Sequence, residues 1–105
     1  MDASTTFLSG FEPLLQAPAR LQVMAILVQA QEAEFARLKE LTSTSDSVMS
    51  KHLAALANAG LIKLTKTTAG SRQRTWASVT RSGRKIFQKH VAALQGIIAG
   101  PSKPI

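Results

Sequence analysis

The apolar residues of this 105-residue chain change their period at Gly60, and that change limits the fold more than any other feature. Before Gly60 they recur at three and four positions, the repeat of a helix face. After it they alternate with polar residues through two short stretches, and the three-four repeat then returns. A chain patterned this way is mainly α with one β-hairpin placed before its last helix.

Spacing sets the expected elements. Phe7, Phe11 and Leu14 predict a first helix over about 7–16, kinked or restarted at Glu12-Pro13. Pro18 fits the first turn of the next helix, about 19–30. Its Leu21, Met24, Ile26, Leu27 and Val28 spread around much of the circumference, as in a central, covered helix. A shorter helix over about 34–41 carries Phe35, Leu38 and Leu41, and four hydroxyl residues, Thr42 to Ser45, make the following turn. Ser45 is a good N-cap, with Asp46 in the first turn of a helix that stops at Gly60. The inward stripe of that helix is Met49, Leu53 and Leu56.

Beyond Gly60, Ile62 and Leu64 alternate with Lys63 and Thr65, which predicts a strand. Ala69-Gly70-Ser71 is a turn, and Thr75, Ala77 and Val79 share one face of the returning strand. Thr80 caps a last helix to about Ala99, in which Phe87, Val91, Leu94 and Ile98 repeat at 4-3-4. Residues 1–105 are therefore read as a single domain. Its helix-turn-helix covers about 34–59, its wing about 61–79, and its terminal helices about 7–16 and 80–99.

Charge is divided as sharply as period. All six acids lie at or before Asp46, beside only Arg20, Arg37 and Lys39. From Ser47 onward there are ten bases and no acid. A surface without a carboxylate repels itself, and a polyanion such as nucleic acid relieves that repulsion.

Other classes are disfavoured. Without cysteine there is no disulfide, thiolate metal site or thiol switch. The two histidines are far apart and no acid follows Asp46, so neither a metal site nor a cofactor is expected. Asp46, Ser50 and His52 resemble triad letters, but Ser50 and His52 are two apart on one helix and diverge, so no enzyme is expected. The first residues lack the pattern of a secretion signal, and the longest apolar run, Val23 to Val28, is far shorter than the ~18 residues of a membrane span. A soluble, cytoplasmic protein without a membrane partner is the expectation.

A short helix, a turn and a second helix place the second helix in the DNA major groove. That helix needs an apolar side for anchorage and a small, polar side for close approach to bases. Residues 46–59 meet both needs. Ser47, Val48, Ser50 and Lys51 are the candidates for base readout, and Ser45, Lys66, Arg72 and Arg74 for backbone and wing contacts. The expected partner is double-stranded DNA. RNA is a weaker match, because stacking aromatics are limited to four Phe and Trp76. A winged-helix protein-interaction module binding an acidic partner is the rival reading, although the 47–55 surface lacks aromatic anchors.

The runs Pro18-Ala19-Arg20-Leu21 and Ser45 to Leu53, with Gly60-Leu61-Ile62, Arg74-Thr75-Trp76 and Thr80 to Arg84, carry a resemblance. They resemble small winged helix-turn-helix transcriptional regulators of the ArsR and MarR type. The resemblance implies a homodimer paired through first and last helices, with Phe7, Phe11, Leu14, Phe87, Val91, Leu94 and Ile98 at the interface. It implies a near-palindromic operator. A dimer-interface pocket could admit a small apolar effector, but no polar constellation in the sequence points to one. Two departures from the pattern, no glycine at Ser43-Thr44 and Gln73 in place of proline, bear on turn geometry.

Four residues carry alternatives. His52 is either a phosphate contact or pH switch, or a structural hydrogen-bonding histidine. His90 is read as packing, and Arg20 as pairing with a carboxylate such as Glu12 or Glu40 rather than with phosphate. Trp76, on the face of Arg72 and Arg74, either stacks on an arginine or supports a base contact, or packs the hairpin against a helix.

Overall fold

The central helix, α1 (Pro18–Ala30), starts on Pro18 and packs against elements on both sides of it in the chain. Its Val23, Met24 and Leu27 are fully buried. The computed structural model describes residues 9–100. Across them run a 3-10 turn (Pro13–Gln16), α1, β1 (Glu32–Glu34), α2 (Phe35–Thr42), α3 (Asp46–Asn58), β2 (Ile62–Ala69), β3 (Arg72–Val79) and α4 (Arg81–Ala99).

The expected first helix differs in its described part. Gly10 has φ +96°, residues 11 and 12 are irregular, and only Pro13–Gln16 coil into a 3-10 turn. Pro13 starts that turn and Glu12 caps it, accepting the Leu14 amide. Phe7 lies outside the described residues.

The sheet has three antiparallel strands in the order β1-β3-β2, one more than expected. In β1, Ala33 pairs with Ala77 and is its one buried residue. Three residues with two glutamates carry too short an alternation to read as a strand. The β2–β3 hairpin is joined by Gly70-Ser71, with Ala69 opposite Arg72. Of the two loop residues only Gly70 has positive φ, the pattern of a turn with glycine first.

The core closes α1, α2, α3 and the base of the hairpin around Leu38, Met49, Leu53, Leu56, Leu61, Ile62 and Ala77. The junction to α4 is tight. Thr80 Oγ1 donates to the Gly60 carbonyl at 2.6 Å and accepts the Gly83 amide at 2.9 Å. A Cβ on Gly83 would lie 2.0 Å from the Leu61 carbonyl oxygen, so only glycine allows α4 this close. At the far end of α1, Arg84 donates to the Val28 carbonyl at 2.9 Å.

Outside this core the molecule is open. Its longest extent is 61 Å and its radius of gyration 16.1 Å, against about 13 Å for a compact chain of 100 residues. The hairpin is exposed from Lys63 to Gln73, and the end of α4 leaves Ile97 50% and Ile98 82% exposed. Among the described residues no helix is long and apolar enough to cross a membrane.

Candidate nucleic-acid interface

The turn between α2 and α3 sets the site. Ser43 takes the left-handed conformation, φ 53° and ψ 44°, which glycine adopts at least cost. Its amide closes α2 by donating to the Glu40 and Lys39 carbonyls. Thr42 Oγ1 lies 2.7 Å from the Leu38 carbonyl and 3.0 Å from Thr44 Oγ1, so hydroxyl groups fill the polar needs of the turn. Lys39 and Asp46 form an ion pair across it. Ser45 caps α3 by accepting the Val48 amide at 3.3 Å.

With Met49, Leu53 and Leu56 buried, the opposite side of α3 is presented to solvent. Ser45, Ser47, Ser50 and Lys51 are exposed, and Val48 is 42% exposed. The result is a ridge of hydroxyls, one branched methyl pair and one ammonium, low enough for base edges to approach. Ser50 and Lys66 meet across a cleft of about 230 Å³ between α3 and the hairpin, which Phe35, Leu53, Leu64 and Thr75 complete.

The wing residues divide between two faces. Register places Lys66 opposite Thr75 and Thr68 opposite Gln73, on the face that carries Ile62 and Ala77 toward the core. Arg72 and Arg74 lie on the other face, opposite Ala69 and Thr67. Arg72 is at the tip and exposed, whereas Arg74 is 3.7 Å from Glu34 and is partly neutralised. Gln73 and Thr68 therefore join Lys66 on the α3 side. Counting the period of two across the two-residue turn would have placed them there from the sequence.

The other four residues with alternatives are placed as follows. Trp76 is half-buried and borders an outer-face cleft of about 190 Å³ with Glu32, Thr65, Thr67 and Ser78. Arg20 forms no ion pair among the described residues and instead donates to His52 Nδ1 at 2.9 Å. His52 is thus a hydrogen-bonded, half-buried histidine, and burial together with the Arg20 charge lowers its pKa. His90, 2% exposed, is a packing residue, edge-on to Phe11 with ring centroids 5.4 Å apart. Among the described residues no three His, Cys, Asp or Glu side chains gather as a metal site.

A helix pair with a capped, small-faced second helix, followed by a basic hairpin, defines the winged helix-turn-helix class. The family model of the winged helix DNA-binding domain matches residues 19–98, and the chain belongs to that family. It is 26% identical over 78 residues to an uncharacterized protein of Methanocaldococcus jannaschii, covering 74% of this chain and 85% of that one. The fold is similar to a transcriptional regulator homologue from Pyrococcus horikoshii OT3, with TM-score 0.81, 23% identity, and 94% and 96% of the two chains covered. It is also similar to ZitR of Lactococcus lactis, a zinc-responsive MarR family member. There the TM-score is 0.59, identity is 25%, and 77% of this chain and 55% of that one are covered.

Proposed function

We propose that the chain is a cytoplasmic, homodimeric, sequence-specific regulator that reads a near-palindromic operator. Ser47, Val48, Ser50 and Lys51 read base edges in the major groove, while Ser45, Lys66, Arg72 and Arg74 hold the backbone. The observation that carries this reading is the low, exposed face of α3 beside Lys66, in a sequence with no acid after Asp46.

The dimer assigns the uncovered part of α4 to a second copy. Phe87, Val91 and Leu94 are only half-buried and Ile98 is open, while Phe11 and Leu14 lie half-buried in the segment before α1. Two-fold pairing through these residues would set the recognition helices about one helical turn, ~34 Å, apart.

The test is selection from random duplex DNA, followed by anisotropy at two salt concentrations. The expected result is enrichment of a two-fold-symmetric site, with weak, strongly salt-dependent binding to other sequences. Absence of both enrichment and salt-dependent affinity would overturn the reading and leave an acidic protein partner for the basic face.

A further inference from the structure

The chain's two histidines lie at opposite ends of one hydrogen-bonded path. On α3, His52 Nδ1 accepts from Arg20 Nε at 2.9 Å. Arg20 Nη1 also donates to the Leu14 carbonyl at 3.4 Å. The Leu14 amide donates to Glu12 Oε2 at 3.2 Å, and the Glu12 amide donates to His90 Nδ1 at 3.0 Å. The path runs from α3, through α1 and the 3-10 turn, to the middle of α4. It joins the helix with the exposed polar face to the helix with the uncovered apolar stripe.

We propose that Arg20 and Glu12 are positioning residues for DNA binding, tying α3 to α4 through this path, and that protonation of either histidine opens it and weakens operator affinity. The proposal rests on the DNA-binding reading above and adds a regulator to it.

Both Nδ1 atoms accept, so each imidazole is neutral and carries its proton on Nε2. A second proton can add only at Nδ1, where it sets a donor against a donor. At His52 it also places a cation beside the Arg20 guanidinium; Lys51 is the adjacent charge on α3. The charged group facing His90 is Glu12, with Lys89 adjacent on α4. Phe11, Leu15, Gln16, Pro18, Leu21 and Leu94, which share its cavity, carry no charge.

Burial lowers both histidines below their ordinary 6.5; Arg20 lowers His52 further, and Glu12 partly offsets the fall at His90. A base whose pKa is lowered on folding contributes stability above its unfolded value and loses it as pH falls through the folded one. The path is therefore closed at neutral pH and opens as pH falls through the lowered values of the two histidines. A histidine acting only as a charge near phosphate has the opposite sign, because a new cation strengthens binding to a polyanion.

The experiment measures affinity at pH 7.5 and 5.5, at constant ionic strength, for the duplex enriched from random DNA and for a random duplex of equal length. Wild type is compared with His52→Asn and His90→Asn, since asparagine places a non-titrating acceptor near the Nδ1 position. Wild type is expected to bind the enriched duplex roughly two- to tenfold more weakly at pH 5.5, the range of one lost hydrogen bond. Each Asn variant should lose part of that dependence. Imidazole NMR titration of the wild type, which does not depend on any variant folding, should show Nε2-protonated tautomers titrating below 6.5. Equal or tighter binding at pH 5.5, full pH dependence in both Asn variants, or Nδ1-protonated tautomers would overturn the proposal alone. No DNA affinity at either pH would overturn the DNA-binding reading and the proposal with it.

Discussion

Helices α3 and α4 carry nearly the same apolar spacing and meet different ends. In α3 the stripe Met49, Leu53, Leu56 disappears completely into the chain's own core. In α4 the stripe begins packed, at Ile86 and Phe87, and ends in water at Ile97 and Ile98. A 19-residue helix is about 28 Å long, and the core spans only its first half. Spacing tells which residues share a face; it does not tell whether the same chain supplies the surface that covers it. The difference separates a helix whose apolar stripe its own chain covers from one whose stripe it leaves partly exposed.

Substitutions can break that contrast, beginning with the largest effect. Leu56→Ala removes a fully buried side chain from the α3 anchor and should cost about 2–5 kcal/mol in denaturant unfolding. A loss well under 1 kcal/mol would show that α3 is not held by its stripe. Ile98→Glu touches a residue already in solvent, so the folded protomer should lose within about 0.5 kcal/mol. Self-association, read by sedimentation, should instead weaken by roughly tenfold or more, as expected for a charge placed in an apolar interface. An unchanged oligomeric state would remove Ile98 from the proposed interface.

Smaller changes sharpen the α3 side. Ser43→Gly should stabilise the chain by about 1 kcal/mol, because the left-handed conformation there costs a residue with a Cβ that amount. A destabilised variant would mean that the serine side chain itself holds the turn. Arg72→Ala should weaken binding to all duplexes alike and flatten the log–log salt slope by about 0.9, the share of one phosphate contact. A change in sequence preference would instead move Arg72 from backbone to base contact.

Much of this architecture is legible in the sequence because it rests on long periodic segments and strong caps. The bounds of α1, α3, the hairpin and α4 follow from Pro18, Ser45, Gly60, Gly70 and Thr80. The fold around the first ten described residues is legible only in part. The restart at Glu12-Pro13 is one the sequence offers, and a turn does begin at Pro13, but the helical spacing of Phe7, Phe11 and Leu14 does not foresee that Gly10 turns with positive φ. Strand β1 escapes because Ala33 alone of its residues is buried.

At the candidate site, which side chains of α3 point outward follows from its stripe. The face of each wing arginine follows from the period of two, but that Glu34 engages Arg74 depends on a strand too short to foresee. The Arg20–His52 bond is hidden for a related reason. Charge patterning suggests a carboxylate for Arg20, whereas packing brings it the neutral nitrogen of a residue 32 positions away.

The central claim is that the exposed side of α3 reads bases, and Ser50 tests it most directly, being exposed and beside the wing. The measurement is the full sequence-preference profile of Ser50→Ala against wild type, on the same random duplex pool. The account predicts relaxed or altered preference at one symmetric pair of positions, worth about 1–3 kcal/mol of discrimination, with the salt dependence retained. An unchanged profile from a folded variant would contradict it and place the reading surface elsewhere on the molecule.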